Sequence, residues 1–178
     1  MLGAVREEIM PVVRSAQLEQ VQPGHGWPMF AGHWGGCGVL LMQTGMGGDK
    51  AARAASYLLR RHHVAALSSI GVAGALSPNL QPGDLVLCEG LCCGDLGSPP
   101  TLPCRPDGNL VSVAADIPPP PGAQLIRAHS VTVNRPIVHP DDKRALGAVS
   151  GAAVVEMEGY WTARTAAAHR VPFLAVRV

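Results

Sequence analysis

Aromatic residues are scarce in this sequence, where Phe, Trp and Tyr together make up 4% of the 178 residues. Charged residues are also few, at 15%, and 14 Lys and Arg nearly balance 13 Asp and Glu. The formal net charge of +1 gives no electrostatic basis for binding nucleic acid or an acidic membrane surface. Small and apolar residues are abundant instead, with 21 Gly and a hydrophobic fraction of 47%. This composition suits a layered α/β domain that covers residues 1–178 as one unit.

Long hydrophobic runs are absent as well. No apolar run approaches the roughly 18 residues of a membrane-spanning helix. The N-terminal segment Met1–Glu8 has no apolar stretch long enough for a signal peptide, and it carries the acidic pair Glu7 and Glu8. We therefore expect a protein of the cytoplasm without a membrane span.

The cysteine pattern argues against both a disulfide framework and a metal site. The count of five is odd, and Cys92 and Cys93 are adjacent. Together with Cys88 and Cys104 they could be imagined as zinc ligands. However, they lack paired C-x-x-C spacing, and no His lies among them. We expect buried or loop thiols and no metal.

The clearest local pattern is a strand, a glycine-rich turn and a helix, followed by a second strand. Val39–Gln43 is a short apolar run, and Thr44–Gly48 supplies the turn. From Asp49 to His62 apolar residues recur at helical spacing, at Ala51, Ala54, Ala55 and Leu58. Val64–Ile70 predicts the next strand. This order is typical of a parallel sheet with right-handed crossovers.

The rest of the chain is predicted to alternate in the same way around one irregular stretch. Prolines are dense between Gly94 and Gly122, which opposes both helix and central strand and favours a flap or binding loop. The other predicted elements are strands at Leu85–Cys88, Leu125–Val133, Ala153–Val155 and Phe173–Val178, and helices at Asp141–Leu146 and Met157–His169.

Two glycine-containing loops follow predicted strands and are candidate ligand contacts. Backbone N–H groups of the turn that begins at Gly45, next to a helix start, can receive an anion or a sugar hydroxyl. The second loop is Gly71–Gly74. Ligands of open α/β sheets bind at the carboxyl ends of the strands, so we predict a crevice shared by both loops. The alternative is that each loop is a tight connection with no ligand.

Carboxylates stand at two further predicted strand ends. Glu156 and Glu158 flank Met157 at a junction between a strand and a helix. A carboxylate accepts two hydrogen bonds and can hold a vicinal diol such as the 2′ and 3′ hydroxyls of ribose. Alternatively, both glutamates stabilise the start of the following helix by charge–dipole interaction. Glu7 and Glu8, just after a short N-terminal strand, have the same two interpretations.

Three segments carry these motifs in a fixed order: Gly3–Ile9, Thr44–Val86 and Val155–Arg177. They resemble the first strand and acidic turn, the glycine loop with its Gly-x-Ala-Gly block, and the ribose motif of the purine and uridine phosphorylase superfamily. That family includes the 5′-methylthioadenosine/S-adenosylhomocysteine nucleosidases. Within it, Ser69–Leu76 is most similar to the hopanoid-associated phosphorylases of bacteria, which points to hopanoid biosynthesis.

The resemblance implies a fold and a reaction. The fold is a three-layer α/β/α domain around a mixed, partly closed sheet, with the family's C-terminal helix missing after Val178. The reaction is cleavage of the N-glycosidic bond of an adenine-type purine nucleoside through an oxocarbenium-like ribosyl group. Ala73 and Gly74 would line the base and the sugar. Met157 would line the ribose, and Glu158 would bind its hydroxyls.

The same resemblance favours hydrolysis over phosphorolysis. Glu8 aligns with the nucleosidase glutamate that orients and activates water. The hexameric bacterial phosphorylases bring an arginine and a serine to the phosphate, near the places where this chain has Ser69 and Val72. No cofactor is implied, and phosphate would be a co-substrate only in a phosphorolytic reaction. With Glu8 as the catalytic residue, the predicted substrate contacts also include Gly45 and Glu156.

The general acid of the family is a further difference. The resemblance places the aspartate that protonates the departing purine shortly beyond Val178, after the arginine matched by Arg177. Two alternatives are therefore a non-catalytic nucleoside- or purine-binding protein and a protein whose main property is assembly. The expected partner is a small-molecule nucleoside, and we expect a homo-oligomer, with a dimer favoured.

Overall fold

A computed structural model of the chain describes residues 1–22 and 26–178. The strands in it are β1 (Leu2–Gly3), β2 (Glu19–Val21), β3 (Met29–Trp34), β4 (Cys37–Gln43), β5 (Leu67–Gly71), β6 (Gly74–Ala75), β7 (Leu85–Cys93), β8 (Leu125–Thr132), β9 (Val154–Glu156) and β10 (Phe173–Arg177). The helices are α1 (Arg6–Ser15), α2 (Gly48–Arg61), α3 (Gly108–Ala115), α4 (Pro140–Ser150) and α5 (Gly159–Ala168).

The described strands form one mixed sheet in the order β2-β3-β4-β1-β5-β10-β7-β8-β9-β6. Strands β4, β1, β5 and β10 are parallel to one another, and so are β7, β8 and β9. An antiparallel pair joins β10 to β7, and further antiparallel pairs add β3 and β2 at one edge and β6 at the other. The predicted strand, helix and strand are thus β4, α2 and β5, with β1 inserted between the two strands.

Helices cover both faces of this sheet, and the alternation of strand residues shows it. Leu41 of β4 packs with the α1 residues on one face, whereas its neighbour Met42 packs with α2 and α5 on the other. Along β7, Leu91 belongs to the α2 and α5 core, whereas Cys92 belongs to the core under α4. Because successive strand residues point to opposite faces, α1 and α4 lie opposite α2 and α5. The predicted three-layer α/β/α arrangement with a mixed sheet is confirmed.

The apolar residues whose spacing predicted α2 form the face that this helix buries. Ala51, Ala54, Ala55 and Leu58 are its buried residues, and they pack against α5 and the sheet. Three of the four are alanines, which lets the two helices approach closely.

None of the helices within residues 1–22 and 26–178 combines the length and apolar character needed to cross a membrane.

The prediction of an irregular stretch between Gly94 and Gly122 was wrong in part, because this stretch contains α3. The prolines of this stretch lie outside Gly108–Ala115, so they bracket the helix without interrupting it. Asp107 starts the helix, since its Oδ1 accepts hydrogen bonds from the backbone N–H of Asn109 and Leu110, both at 3.0 Å. A side-chain oxygen at this position satisfies donors that a helix start leaves free.

Three predicted boundaries also differ from the structure. Strand β5 starts at Leu67, where pairing with Phe173 begins, and not at Val64. Strand β7 continues past Cys88 to Cys93, because it stays paired with β8 after an irregularity in register. Helix α4 runs on to Ser150 and ends where Gly151 takes the left-handed conformation that glycine favours, with φ 65°.

Candidate active site

The predicted loops and carboxylates meet at one cavity. It has a volume of about 270 Å³ and is lined by the turn before α1, by Met46, by the loop after β5, by the segment after β8 and by the β9–α5 junction. These segments follow β1, β4, β5, β8 and β9. The site thus lies at the carboxyl ends of strands from both parallel sets, β1, β4 and β5 from one and β8 and β9 from the other. The crevice predicted from the two glycine loops is present.

Glu8 is held at the floor of this cavity by backbone donors from two segments. Its Oε2 accepts hydrogen bonds from Ala4 N at 2.6 Å and Val5 N at 3.1 Å, and its Oε1 accepts one from Val72 N at 2.9 Å. The helix-start interpretation of Glu8 therefore applies, since the bond to Val5 closes a capping interaction at the start of α1, and its catalytic role stays a prediction. Glu7, its neighbour, is exposed to solvent.

Gly71 is the residue that makes room for Glu8. A Cβ at Gly71 would lie 2.6 Å from Glu8 Oε1 and 3.0 Å from its Cδ. No side chain fits there without displacing the carboxylate. The close approach of the β5 end to Glu8 also lets the N–H of the next residue, Val72, reach Oε1. The glycine in this loop is thus required for packing against a site residue.

Glu158 also lines the cavity and is half-buried. Its Oε1 accepts a hydrogen bond from Gly47 N at 2.6 Å, and its Oε2 accepts one from Met157 N at 3.2 Å. Burial raises the pKa of this carboxyl, while the Gly47 donor acts to lower it; Glu156 adds to the rise and Arg177 opposes it. Each oxygen retains lone pairs for a further donor, such as a sugar hydroxyl.

Glu156 borders the same cavity, but its carboxylate is used inside the protein. Its Oε2 accepts hydrogen bonds from Glu158 N at 3.1 Å and Gly159 N at 2.6 Å, and Thr132 donates its hydroxyl to Oε1. The same Oε2 pairs with Arg177 Nη2 at 2.7 Å. The helix-start alternative therefore describes Glu156, and its role as a substrate contact stays a prediction.

Arg177 is the buried counter-charge of Glu156. Its guanidinium donates to the backbone oxygen of Ser69 at 3.1 Å and to the Ser69 hydroxyl at 3.0 Å. Burial acts to lower the pKa of Arg177, but Glu156, Cys88 and Glu158 together outweigh that effect and raise it. The pair was missed by the sequence reasoning. Its signal was one glutamate and one arginine, each in an otherwise apolar strand.

The remaining predicted substrate contacts divide into two groups. Ala73, Gly74 and Met157 line the cavity, and their contact with a substrate stays a prediction. Gly45 does not line it: its N–H donates to Ala4 O at 2.9 Å, its φ is 80°, and the Lys50 side chain covers it. Gly45 shapes the turn, and a direct role on substrate stays a prediction. Apolar lining residues that sequence reasoning missed are Met46, Val133, Pro136 and Ile137.

A second, much smaller cavity lies between Glu8 and Glu158. Its volume is about 10 Å³, close to the smallest space that holds one water molecule. Polar groups from Thr44, Ser69 and Arg177 also border it. A site this small and this polar suits a single water between two carboxylates.

The charge of the site is distinctive. Glu8, Glu156 and Glu158 are the charged residues among the described lining of the larger cavity. The one cation among the described residues of the smaller cavity is Arg177, which is paired with Glu156.

Within residues 1–22 and 26–178, no three His, Cys, Asp or Glu side chains are arranged to hold a metal ion. Burial raises the pKa of the thiols of Cys88, Cys92, Cys93 and Cys104.

A comparison with known families decides the relationship. The model of the phosphorylase superfamily matches residues 1–178. The chain belongs to the phosphorylase superfamily. The finer resemblance to hopanoid-associated phosphorylases stays a prediction.

Curated relatives carry one shared description, 5′-methylthioadenosine/S-adenosylhomocysteine nucleosidase. The protein of Chromohalobacter salexigens is 28% identical over 126 residues, which are 65% of this chain and 54% of the relative. The protein of Aeromonas salmonicida is 27% identical over an alignment that covers 99% of this chain and 82% of the relative. The matched region spans about half the length of the first of these relatives.

Solved structures share the fold. A 5′-methylthioadenosine/S-adenosylhomocysteine nucleosidase of Helicobacter pylori, solved with butyl-thio-DADMe-Immucillin-A, superposes with a TM-score of 0.90 at 22% identity, covering 99% of this chain and 81% of that one. The futalosine hydrolase of the same organism gives a TM-score of 0.87 at 21% identity, covering 99% and 84%.

Proposed function

We propose that this protein hydrolyses the N-glycosidic bond of a purine nucleoside that carries an adenine-type base. The observation that carries the proposal is the water-sized polar cavity between Glu8 and Glu158, at the edge of a larger cavity with mostly apolar walls. The nucleosidases among the curated relatives support the same reaction class. The substrate is a small molecule, and the reaction needs no cofactor.

In this proposal Glu8 orients and deprotonates the attacking water. Three backbone N–H groups fix its carboxylate, so it is pre-positioned and loses little freedom when the water binds. A positioned general base contributes about 10²–10⁴-fold to a rate. The attack at the anomeric carbon forms the new C–O bond as the bond to the base nitrogen breaks. The electron pair of that bond leaves with the purine, which takes up a proton to balance the one that Glu8 removes from water.

Glu158 binds the ribose hydroxyls. Its two oxygens are held by hydrogen bonds from Gly47 N and Met157 N, and Glu158 and Met157 both line the cavity. A charge-assisted hydrogen bond contributes about 1.5–3 kcal/mol. The apolar lining at Met46, Val133 and Ile137 accommodates the flat base and an uncharged group on the sugar.

Phosphate is disfavoured as the nucleophile. No unpaired cation lies among the described residues that line either cavity, whereas carboxylates lie in both. Ser69, near the place of a phosphate-binding arginine in the hexameric phosphorylases, accepts a hydrogen bond from Arg177. An anion entering between Glu8 and Glu158 would meet like charges.

The first experiment separates hydrolysis from phosphorolysis. The protein is mixed with 5′-methylthioadenosine or adenosine, with and without phosphate, and the released base and sugar are identified. We expect base release that is independent of phosphate and yields the free sugar. Release that rises with phosphate and yields a sugar 1-phosphate would contradict the proposal.

The second experiment tests the two carboxylates. Glu8→Gln should lower base release about 10²–10⁴-fold, because an amide cannot accept the proton from water. Glu7→Gln, an exposed neighbour on the same helix, is the matched control and should change little. Glu158→Gln should weaken nucleoside binding in calorimetry by about 10- to 100-fold. Unchanged affinity would return Glu158 to a helix-start role.

Three further expectations keep the status of predictions. A homo-oligomer, with a dimer favoured, is supported by the exposed apolar side chains of Met46 and Val72 at the cavity rim. Light scattering of the purified protein tests it. A cytoplasmic location and a place in hopanoid biosynthesis rest on the sequence alone.

A further inference from the structure

Trp161 packs directly against Gly48 where α2 and α5 meet. Gly48 is the first residue of α2, and Trp161 lies in the first turn of α5. A Cβ on Gly48 would lie 2.2 Å from Trp161 Cδ1 and 2.5 Å from its Nε1. Real Cβ atoms do not approach other atoms so closely, so only glycine lets the indole lie against this helix start.

The same two helix starts are joined by a polar contact. Gly47, immediately before Gly48, donates its N–H to Glu158 Oε1 at 2.6 Å. Glu158 lies three residues before Trp161 and immediately before α5. Any displacement of the α2 start away from Trp161 therefore also moves the Gly47 donor away from the carboxylate.

Several charged groups lie near Glu158. Among the interactions that favour its charged form, the hydrogen bond from the Gly47 N–H is prominent. Glu156 on β9 and Glu8 across the small cavity carry like charge, and Arg177 on β10 carries the opposite charge. Asp49 and Lys50 follow Gly48 on α2, and both are exposed. Burial disfavours the charged carboxylate, and the Gly47 hydrogen bond opposes that effect.

We propose that Gly48 and Trp161 are positioning residues, whose contact holds the Gly47 N–H against Glu158 and keeps this carboxylate ready for the ribose. The part that concerns ribose rests on the function proposed above, whereas the positioning of Glu158 does not. Neither residue needs to touch the substrate. A larger side chain at Gly48 acts on the site through Trp161.

Gly48→Ala is the direct test, and Gly108→Ala is its matched control. Gly108 is also the first residue of a helix, but a Cβ there would meet nothing within 4 Å. Gly48→Ala should weaken binding of 5′-methylthioadenosine about 10-fold or more, the effect of losing a charge-assisted hydrogen bond. The loss should be larger below neutral pH than above it, because the pKa of Glu158 rises further. Gly108→Ala should bind as the wild type does.

Removing the indole provides the rescue. Trp161→Ala in the Gly48→Ala background gives the new methyl group room, so this double variant should bind more tightly than Gly48→Ala alone. Trp161→Ala by itself supplies the baseline for the double-mutant cycle. A double variant no tighter than Gly48→Ala would overturn the proposal. If Gly48→Ala and the double variant both fail to fold whereas Trp161→Ala folds, the clash is not with Trp161 and the proposal is equally wrong.

A titration without ligand separates this proposal from the proposed function. The pKa of Glu158 is followed by NMR of carboxyl-labelled glutamate in the free protein, assigned with Glu158→Gln. It should be higher in Gly48→Ala than in the wild type and should fall back in the double variant. That result in a protein that binds no nucleoside would refute the function and keep the positioning. An unchanged Glu158 pKa in Gly48→Ala would refute the positioning.

Discussion

Arg177→Met should remove a large part of the stability of this fold. The side chains of Arg177 and Glu156 are 3% and 1% exposed, so the variant leaves a carboxylate in the interior without its counter-charge. Ser69 also loses the donors to its backbone oxygen and its hydroxyl. Removing one partner of a buried pair costs about 3–5 kcal/mol. The total stability of a domain is about 5–15 kcal/mol, so the loss is a large fraction of it.

Urea unfolding measures this loss, and the exposed pair of Arg127 and Glu89 supplies the control. Those side chains are 54% and 38% exposed, so Arg127→Met should cost no more than about 1 kcal/mol. Glu156→Gln in the same background should recover part of the loss. Unfolding of Arg177→Met within about 1 kcal/mol of the wild type would refute the reasoning.

Three further variants or conditions test the site and the core. Gly71→Ala should displace Glu8, whose Oε1 would lie 2.6 Å from the new Cβ, and should lower base release strongly; Gly38→Ala, where a Cβ meets nothing within 4 Å, is the control in the same assay. Nucleoside affinity should fall as the pH drops through the raised pKa of Glu158, since only the carboxylate accepts two hydroxyl bonds; calorimetry across pH should show this slope in the wild type and a weaker one in Glu158→Gln. Leu58→Ala, at a fully buried position, should cost about 2–5 kcal/mol in urea unfolding, and a loss well below that range would mean that the core between α2 and α5 can collapse around the gap.

Local patterns were enough to predict α2 and its place in the fold. The apolar residues at helical spacing, from Ala51 to Leu58, are the buried face of the helix. The glycine turn before it does connect β4 to α2. By contrast, α3 was not predicted, because the density of prolines over a long stretch outweighed a short proline-free segment capped by Asp107. Single-residue signals of this kind are lost when composition is averaged.

The sequence identified the candidate residues of the site more completely than it identified what each of them does. Glu8 and Glu158 were recognised as candidates, and their hydrogen bonds show how each is held. The different use of Glu156 could not be inferred, because its partner Arg177 lies 21 residues further along the chain, on a different strand. Likewise, the need for glycine at Gly71 depends on the approach of β5 to Glu8, which no local pattern encodes. Such pairings become visible only when the strand order is known.

The distribution of charge links the two halves of the proposed reaction. Arg177 compensates Glu156, and among the described residues that line the two cavities none forms a salt bridge with Glu8 or Glu158. Breaking a glycosidic bond builds positive charge on the sugar, in an oxocarbenium-like transition state. Fixed negative groups in a partly enclosed site stabilise that charge more than they stabilise the neutral nucleoside. The same groups repel a phosphate anion and tolerate water. One arrangement of glutamates therefore favours both departure of the base and attack by water on the sugar.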